Sequence, residues 1–440
     1  MLNYSVAELR NMKKNRKRRR KSVLLRLQYV LTGAAVLCVA VIALLLVYSM
    51  QDNEISGPGS DAGSALLASG GNVFVAAGED AASASDEKEL EENGNTETEG
   101  TEKEDDDAQS NETGLLSPEE LAAEPGVPRI RIVLDPGHGG PGITDEQELG
   151  AKYRDTFEKD LTLKIAQAAG AELSAYGNVE VLYTRETDKA LTLKQRASYA
   201  KSVGADYLIS LHLNASEEHN FFGSEVFTSA FGSYYAWGKG VGDQVLSRLV
   251  GDGFVSKGVK TRLGSKGADY YGIIRESKAL RIPAIIIEHG YMDQDDDWAR
   301  MNTDEKLAEL GKCDAAGIAA FFGLQKGKNL PELPAADTTE PVSSPVRPDT
   351  TDPVNVCYTL TRQDTANAQI TLHAEDPDSR VMYYDYSTDA GGTWSELYLW
   401  PEGTGDDITF MISVTEAEEE KLLIRAYNTY ELRTEAYKSE

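Results

Sequence analysis

Cysteine is scarce in this chain of 440 residues. The three cysteines, Cys38, Cys313 and Cys357, are odd in number and far apart. Their number and spacing do not indicate a disulfide framework or a zinc site built from cysteines, because both need clustered thiols. Histidine is also rare, with five residues in the whole chain.

Positive charge is sparse beyond the N-terminus. Ten of the 44 Lys and Arg residues lie within the first 26 positions, although the net charge of the whole chain is −28. The remainder of the chain is therefore strongly acidic and would repel phosphate groups. We expect no nucleic acid among its partners.

An uncharged run long enough to cross a membrane occurs at residues 29–48, directly after the basic segment. A helix of this length spans about 30 Å of hydrocarbon, and basic residues that precede a span stay in the cytoplasm. No Ala-x-Ala site follows, which favours an uncleaved signal-anchor over a cleaved signal peptide. We therefore expect a basic cytoplasmic segment at 1–28, a single transmembrane helix at 29–48 and cell-wall-facing domains beyond it. This arrangement suits a bacterium with one membrane.

Two segments of low apolar content separate the predicted domains. Residues 49–127 are rich in Glu, Asp, Ser, Gly and Thr and bury too little to order themselves, which predicts a disordered acidic linker. A second linker is predicted at 326–353. Between the two linkers, over residues 128–325, apolar runs alternate with amphipathic stretches. This alternation predicts an α/β domain with a mostly parallel or mixed sheet and helices on both faces.

Residues 354–440 differ from the preceding domain. Short strand-like runs separated by turn clusters predict a small all-β, Ig-like sandwich module. The segment Ser387-Thr-Asp-Ala-Gly-Gly-Thr-Trp394 fits an Asp-box hairpin, which we interpret as a structural turn rather than a sugar site. We hypothesise a cell-surface partner for this module.

Four polar side chains follow or begin predicted regular elements of the α/β domain. His138 lies in a glycine turn after a buried strand, Glu158 starts a helix, and His212 and Glu288 end two further strands. Sites in open α/β sheets form beyond the carboxyl ends of the strands. Two imidazoles and a carboxylate are a ligand set for a catalytic zinc ion, and a further carboxylate is needed to move protons.

Each of these residues also has an ordinary interpretation. A histidine in a turn is often only a surface residue, and a glutamate at a helix N-terminus is favoured by the helix dipole. His289 and His219 are weaker competitors as ligands. The side chain of His289 points to the face of its strand opposite to Glu288, and His219 lies in a polar loop.

The motifs that contain these residues resemble the zinc-dependent N-acetylmuramoyl-L-alanine amidases of the amidase-3 type. The resemblance covers residues 129–322, a little under half of the chain. The matching motifs, in chain order, are Asp135-Pro-Gly-His-Gly-Gly140, Glu158-Lys-Asp-Leu161, Thr184-Arg185 with Asp188, Leu193-x-x-Arg196, Ser210-Leu-His-Leu-Asn214, Ile274-Arg275 and Glu288-His-Gly-Tyr291.

The resemblance implies cleavage of the amide between N-acetylmuramic acid and L-alanine in peptidoglycan. It implies that His138, Glu158 and His212 hold Zn²⁺ and that Glu288 is the general base and acid. Arg275 matches a family arginine beside the site, and we expect it to steady a substrate carboxylate or the oxyanion.

We also interpret Asn214 and Asp135 as acceptors that orient the ligating imidazoles. After Gly140 the chain departs from the family pattern, in a charged loop that we expect to shape the substrate cleft. Two alternatives remain open: a catalytically silent peptidoglycan-binding or scaffolding protein, and a zinc peptidase or deacetylase of the same architecture.

Overall fold

The computed structural model describes residues 116–140 and 149–439. The predicted cytoplasmic segment 1–28, the predicted signal-anchor 29–48 and most of the predicted acidic linker lie outside the described residues. In the described ranges, no helix has both the length and the apolar character needed to cross a membrane. The expected membrane localisation, with a single-pass signal-anchor, is corrected on this finding.

Strands and helices alternate from residue 118 to residue 322, as the apolar pattern predicts. The elements are α1 (Pro118–Ala123), β1 (Ile130–Pro136), β2 (Lys152–Tyr153), β3 (Thr156–Phe157), α2 (Glu158–Leu173), β4 (Val179–Tyr183), α3 (Leu193–Ser202), β5 (Tyr207–Asn214), β6 (Ser224–Thr228), α4 (Gly232–Gly251), β7 (Ser256–Lys260), α5 (Gly272–Ala279), β8 (Ala284–Tyr291), α6 (Asp295–Trp298) and α7 (Asp304–Phe322).

Six of these strands form one mixed sheet in the order β4-β1-β5-β8-β6-β7. The first four strands in this order, β4, β1, β5 and β8, run parallel to one another. β6 pairs antiparallel with β8 and parallel with β7. The carboxyl ends of β1, β5 and β8 therefore meet at one edge of the sheet, and the prediction of a mixed α/β sheet with flanking helices is confirmed.

Alternate residues of the strands supply two separate cores. Ile209 and Ile287 belong to the larger core, which α2, α4 and α7 cover. Leu208 and Ile286 belong to the smaller core, which α3 and α5 cover on the opposite face. Successive residues of a strand point to opposite faces of the sheet. This alternation decides on which face each side chain near the sheet edge lies.

The ends of the helices follow from local chemistry. Thr303 caps α7 by accepting a hydrogen bond from the Lys306 amide, and Gly323 ends the helix in the left-handed conformation at φ 63°. Such a conformation favours glycine because a Cβ atom would be strained there. Ser117 and Glu120 form a capping box on α1, which lies within the predicted disordered linker.

The second predicted domain has two four-stranded sheets, in the orders β13-β10-β9-β16 and β12-β11-β14-β15. One core is shared by both sheets, with Ile370 and Leu372 from the first and Ile424 and Ala426 from the second. Residues 354–439 are called the β-module below. Its elements are β9 (Val354–Arg362), β10 (Asn367–Glu375), β11 (Val381–Ser387), β12 (Tyr398–Leu399), β13 (Asp407–Ser413), α8 (Glu416–Glu419), β14 (Leu423–Asn428), β15 (Arg433–Glu435) and β16 (Tyr437–Lys438).

The Asp-box segment of the β-module is a hairpin turn closed by its own side chains. Asp389 accepts hydrogen bonds from the Ser387 hydroxyl at 2.7 Å and from the Thr393 amide at 2.8 Å. The Arg425 guanidinium lies 3.3 Å from the centre of the Trp394 ring. These contacts account for the segment as a structural turn.

Candidate active site

The turn after β1 holds His138 in an unusual backbone conformation, with φ at 59°. Two buried arginines fix this turn. Arg185 donates to the carbonyl of Gly137 at 2.8 Å, and Arg196 donates to the carbonyl of His138 at 2.7 Å. Asp188 accepts the Gly140 amide at 2.8 Å. The turn is therefore held rigidly by α3 and by the loop between β4 and α3.

Two glycines allow the polar side chains to approach one another. A Cβ atom on Gly137 would lie 2.3 Å from Cε1 of His212. A Cβ atom on Gly150, whose φ is +72°, would lie 2.5 Å from Oε2 of Glu158 and 2.7 Å from Cδ2 of His138. Both backbone positions need glycine for this reason.

The structure brings His138, Glu158 and His212 together. One ligand atom from each lies within 4.8 Å of the others, and within the described residues this is the one group of three or more His, Cys, Asp or Glu side chains with such spacing. Nε2 of His138 is 3.2 Å from Oε2 of Glu158, and Nδ1 of His212 is 3.0 Å from Oε1. The carboxylate therefore lies against both imidazoles.

The charge states of this group suit a metal cation. Burial alone would raise the pKa of Glu158, but His138 and His212 lower it well below its usual range. Burial lowers the pKa of His212 in spite of the nearby carboxylate. A neutral imidazole and an ionised carboxylate are the forms that bind zinc, so the donor set fits that ion.

The second nitrogen of His212 is held by a chain of hydrogen bonds. Nε2 lies 3.1 Å from the Ser210 hydroxyl, which donates to Asp135 at 2.7 Å. Asp135 also accepts from Arg196 at 2.6 Å and from Thr184 at 2.5 Å. Asp135 thus acts on the imidazole through Ser210, whereas the sequence suggested direct contact.

Glu288 lies on β8 directly across from His212 on β5 and from Glu225 on β6. Burial raises the pKa of Glu288 well above its usual range, and the negative charges of Glu158 and Glu225 add to this effect. Among the described residues, no hydrogen-bond partner reaches its Oε2 atom. A carboxyl group with a raised pKa and a vacant acceptor atom is suited to proton transfer near neutral pH.

Arg275 and Asn214 make contacts that the sequence did not indicate. The guanidinium of Arg275 donates to the carbonyls of Asp269 and Tyr270, at 3.1 and 2.9 Å. The amide of Asn214 donates to Glu225 at 2.7 Å. Asn214 therefore orients a carboxylate through its amide nitrogen, and the expectation that its oxygen accepts from a ligating imidazole stays a prediction.

The two competing histidines are engaged elsewhere. His289 is buried on the opposite side of β8, where Nε2 contacts Asp314 and Nδ1 contacts the His212 carbonyl, both at 2.9 Å. His219 contacts Asp293 at 2.7 Å. Neither histidine belongs to the His138–Glu158–His212 group.

A buried charged cluster next to Glu288, which no motif in the sequence indicates, consists of Glu225, Lys257 and Lys260. Lys260 donates to Glu225, and Lys257 donates to the Tyr291 hydroxyl. Burial alone would raise the pKa of Glu225, but the two lysines lower it to about 2. The charges interrupt the apolar pattern of these two short segments, so periodicity does not reveal them as strands.

The fold and the candidate site place two histidines and two glutamates at the carboxyl edge of a mixed sheet, and the His138–Glu158–His212 donor set is one that could hold a metal ion. The family model for N-acetylmuramoyl-L-alanine amidase matches residues 132–320. Those residues run from β1 to α7 and include all four site residues. The chain belongs to this amidase family and is an enzyme of that class.

Individual relatives agree with this assignment. The amidase CwlM of Bacillus licheniformis is 30% identical over 198 residues, which are 45% of this chain and 70% of the relative. The sporulation-specific N-acetylmuramoyl-L-alanine amidase of Bacillus subtilis is 28% identical, with the same shares covered. The endolysin of Bacillus phage SPP1 is 31% identical over 44% of this chain and 67% of the relative.

Proposed function

We propose that the protein cleaves the amide bond between N-acetylmuramic acid and L-alanine in peptidoglycan with the help of a zinc ion. His138, Glu158 and His212 would hold the ion, and Glu288 would be the general base and acid. The observation that carries this proposal is the meeting of the three ligand side chains within 4.8 Å. The ion, when bound, would supply Lewis-acid polarisation of the scissile carbonyl and of water.

Glu288 does the proton transfer in this proposal. Its raised pKa lets the carboxylate take a proton from the attacking water and return it to the leaving nitrogen near neutral pH. The anions at Glu158 and Glu225 favour the protonated form after the first transfer. Arg275, held by two backbone carbonyls, would steady a substrate carboxylate or the oxyanion.

The domain boundaries belong to the same proposal. Residues 128–325 would form the catalytic domain, with 326–353 as the linker to the β-module, which would meet a partner at the cell surface. A catalytically silent scaffold on this fold is the alternative. No contact in the described part of the chain favours it, because the two imidazoles and the two carboxylates are all in place.

The test is digestion of isolated peptidoglycan by the purified protein. We expect release of free stem peptides, with loss of activity on chelation of zinc and with Glu288→Gln, because that variant cannot accept a proton. Glu288→Gln should retain zinc, whereas His212→Ala should lose it. New sugar reducing ends or free acetate as the only products would contradict the amidase assignment.

A further inference from the structure

The loop between β14 and β15 reaches from the β-module into the α/β domain. The hairpin tip, defined as Thr429–Glu431, is held in shape by Asn428, whose side-chain oxygen accepts the amides of Tyr430 and Leu432 at 2.9 and 3.0 Å. Glu431 has φ at 68°, in the left-handed region. A non-glycine residue in this region is strained, and strain of this kind is retained where the surroundings enforce it.

The hairpin tip contacts two buried lysines of the α/β domain. Lys257 donates to the carboxylate of Glu431, and Lys260 donates to the carbonyl of Thr429. The side chain of Lys257 is 0% exposed and that of Lys260 is 5% exposed. Buried ammonium groups need such partners, because a buried charge without a partner is strongly destabilising.

The same lysines also donate hydrogen bonds to residues on β6 and β8, the strand of the proposed general base. Lys260 also pairs with Glu225, which is the neighbour of Glu288 across the β6–β8 pairing. The hydroxyl of Tyr291 accepts a hydrogen bond from Lys257 and donates one to Glu431. Tyr291 lies three positions after Glu288 on β8. The β-module is thus two hydrogen bonds away from Glu225 on β6 and one hydrogen bond away from Tyr291 on β8, the strand that carries Glu288.

We propose that the hairpin tip is a positioning element of the amidase site, in which Glu431 and the Thr429 carbonyl fix Lys257 and Lys260 and thereby hold Glu225 next to Glu288. The tip does not touch substrate. It acts through the lysines, and the β-module is therefore part of the working catalytic unit in addition to any surface-binding role. This inference rests on the proposed function of Glu288.

The decisive variant is Glu431→Gln in the full chain, which keeps the size of the side chain and removes its charge. We expect kcat on peptidoglycan to fall about tenfold, the lower end of the effect of losing a group that supports a site residue. KM and zinc content should stay within about twofold, because neither the cleft nor the three ligands are altered. Metal analysis and thermal unfolding on the same samples provide readouts independent of activity.

Arg433→Gln is the matched control. Arg433 joins the β-module to the α/β domain through an exposed ion pair with Glu218 at 2.7 Å, two residues from Glu431 but outside the lysine cluster. Its loss should leave kcat unchanged, since an exposed ion pair contributes little to stability. Equal losses of kcat in both variants would show that only general loosening of the interface matters, and would overturn the proposal.

Tyr291→Phe is the second test variant, to be measured if Glu431→Gln does not fold. This variant keeps the buried ring and removes the hydroxyl that Glu431 and Lys257 bond. It should lower kcat with little change in KM, and a wild-type kcat would again overturn the proposal. An inactive wild-type protein, by contrast, would mean that the proposed function fails, so the two failures are distinguishable.

Discussion

At the residue scale, the placement of His138 depends on its neighbours more than on its own identity. Its φ of 59° is held by carbonyl contacts from Arg185 and Arg196. The glycine-rich turn in the sequence predicts a histidine at a strand end. It does not predict which two arginines hold that turn, because they come from the loop after β4 and from α3 and meet only in the folded chain.

Gly137 gives the most specific residue-scale prediction. We expect Gly137→Ala to lower zinc affinity and amidase activity about 10–100-fold, as does the loss of groups that orient a metal ligand. The new Cβ would lie 2.3 Å from the His212 ring and must displace it. Chelator competition measures the affinity, and Gly251→Ala is the control because a Cβ there meets no atom within 4 Å. Unchanged zinc affinity in Gly137→Ala would contradict this account of the site.

At the scale of elements, the apolar pattern predicted the strands that carry the site and the helices that cover the sheet. The helix predicted to start at Glu158 is α2, and the strand predicted to end at Glu288 is β8, which continues to Tyr291. The pattern did not reveal β6 and β7. These strands contain Glu225, Lys257 and Lys260, and buried charges that pair across strands remove the apolar signal on which such predictions depend.

The buried charges that join β6 to β7 predict that the stability of the protein depends on pH. The pKa of Glu225 is lowered to about 2 by Lys257 and Lys260, against 4.5 for an ordinary glutamate. A lowered folded-state pKa contributes stability that is present above the unfolded value and is lost as the pH falls through the folded value. We therefore expect the free energy of unfolding to decrease between pH 4.5 and about 2.

Glu225→Gln isolates this contribution. The variant should be about 3–5 kcal/mol less stable at pH 7, because it leaves the buried Lys260 without its carboxylate partner. Its free energy of unfolding should also change less steeply with pH in the acid range. Denaturant unfolding at several pH values measures both, with Glu309→Gln as a surface control. Parallel pH profiles for Glu225→Gln and wild type would rule out the assignment.

At the scale of the whole described unit, the β-module and the α/β domain share buried aromatic contacts. Phe221 and Tyr291 from the α/β domain pack in one cluster with Tyr383 and Tyr427 from the β-module. The hydroxyl of Tyr383 donates to the carbonyl of Phe222. The sequence predicted both domains but not this joint, because tyrosines in a strand do not reveal which surface they meet.

This shared cluster predicts that the two domains unfold together. Tyr383→Ala should destabilise the protein by about 3–5 kcal/mol, the usual cost of removing a buried aromatic ring, and should lower the melting temperature of both domains equally. Calorimetry of the wild type should show one transition for them. Met411→Ala is the control, because Met411 lies in the β-module and is 56% exposed. Two separated transitions in the wild type, with only the lower one shifted by Tyr383→Ala, would show that the domains are energetically independent and that the contacts between them do not couple their folding.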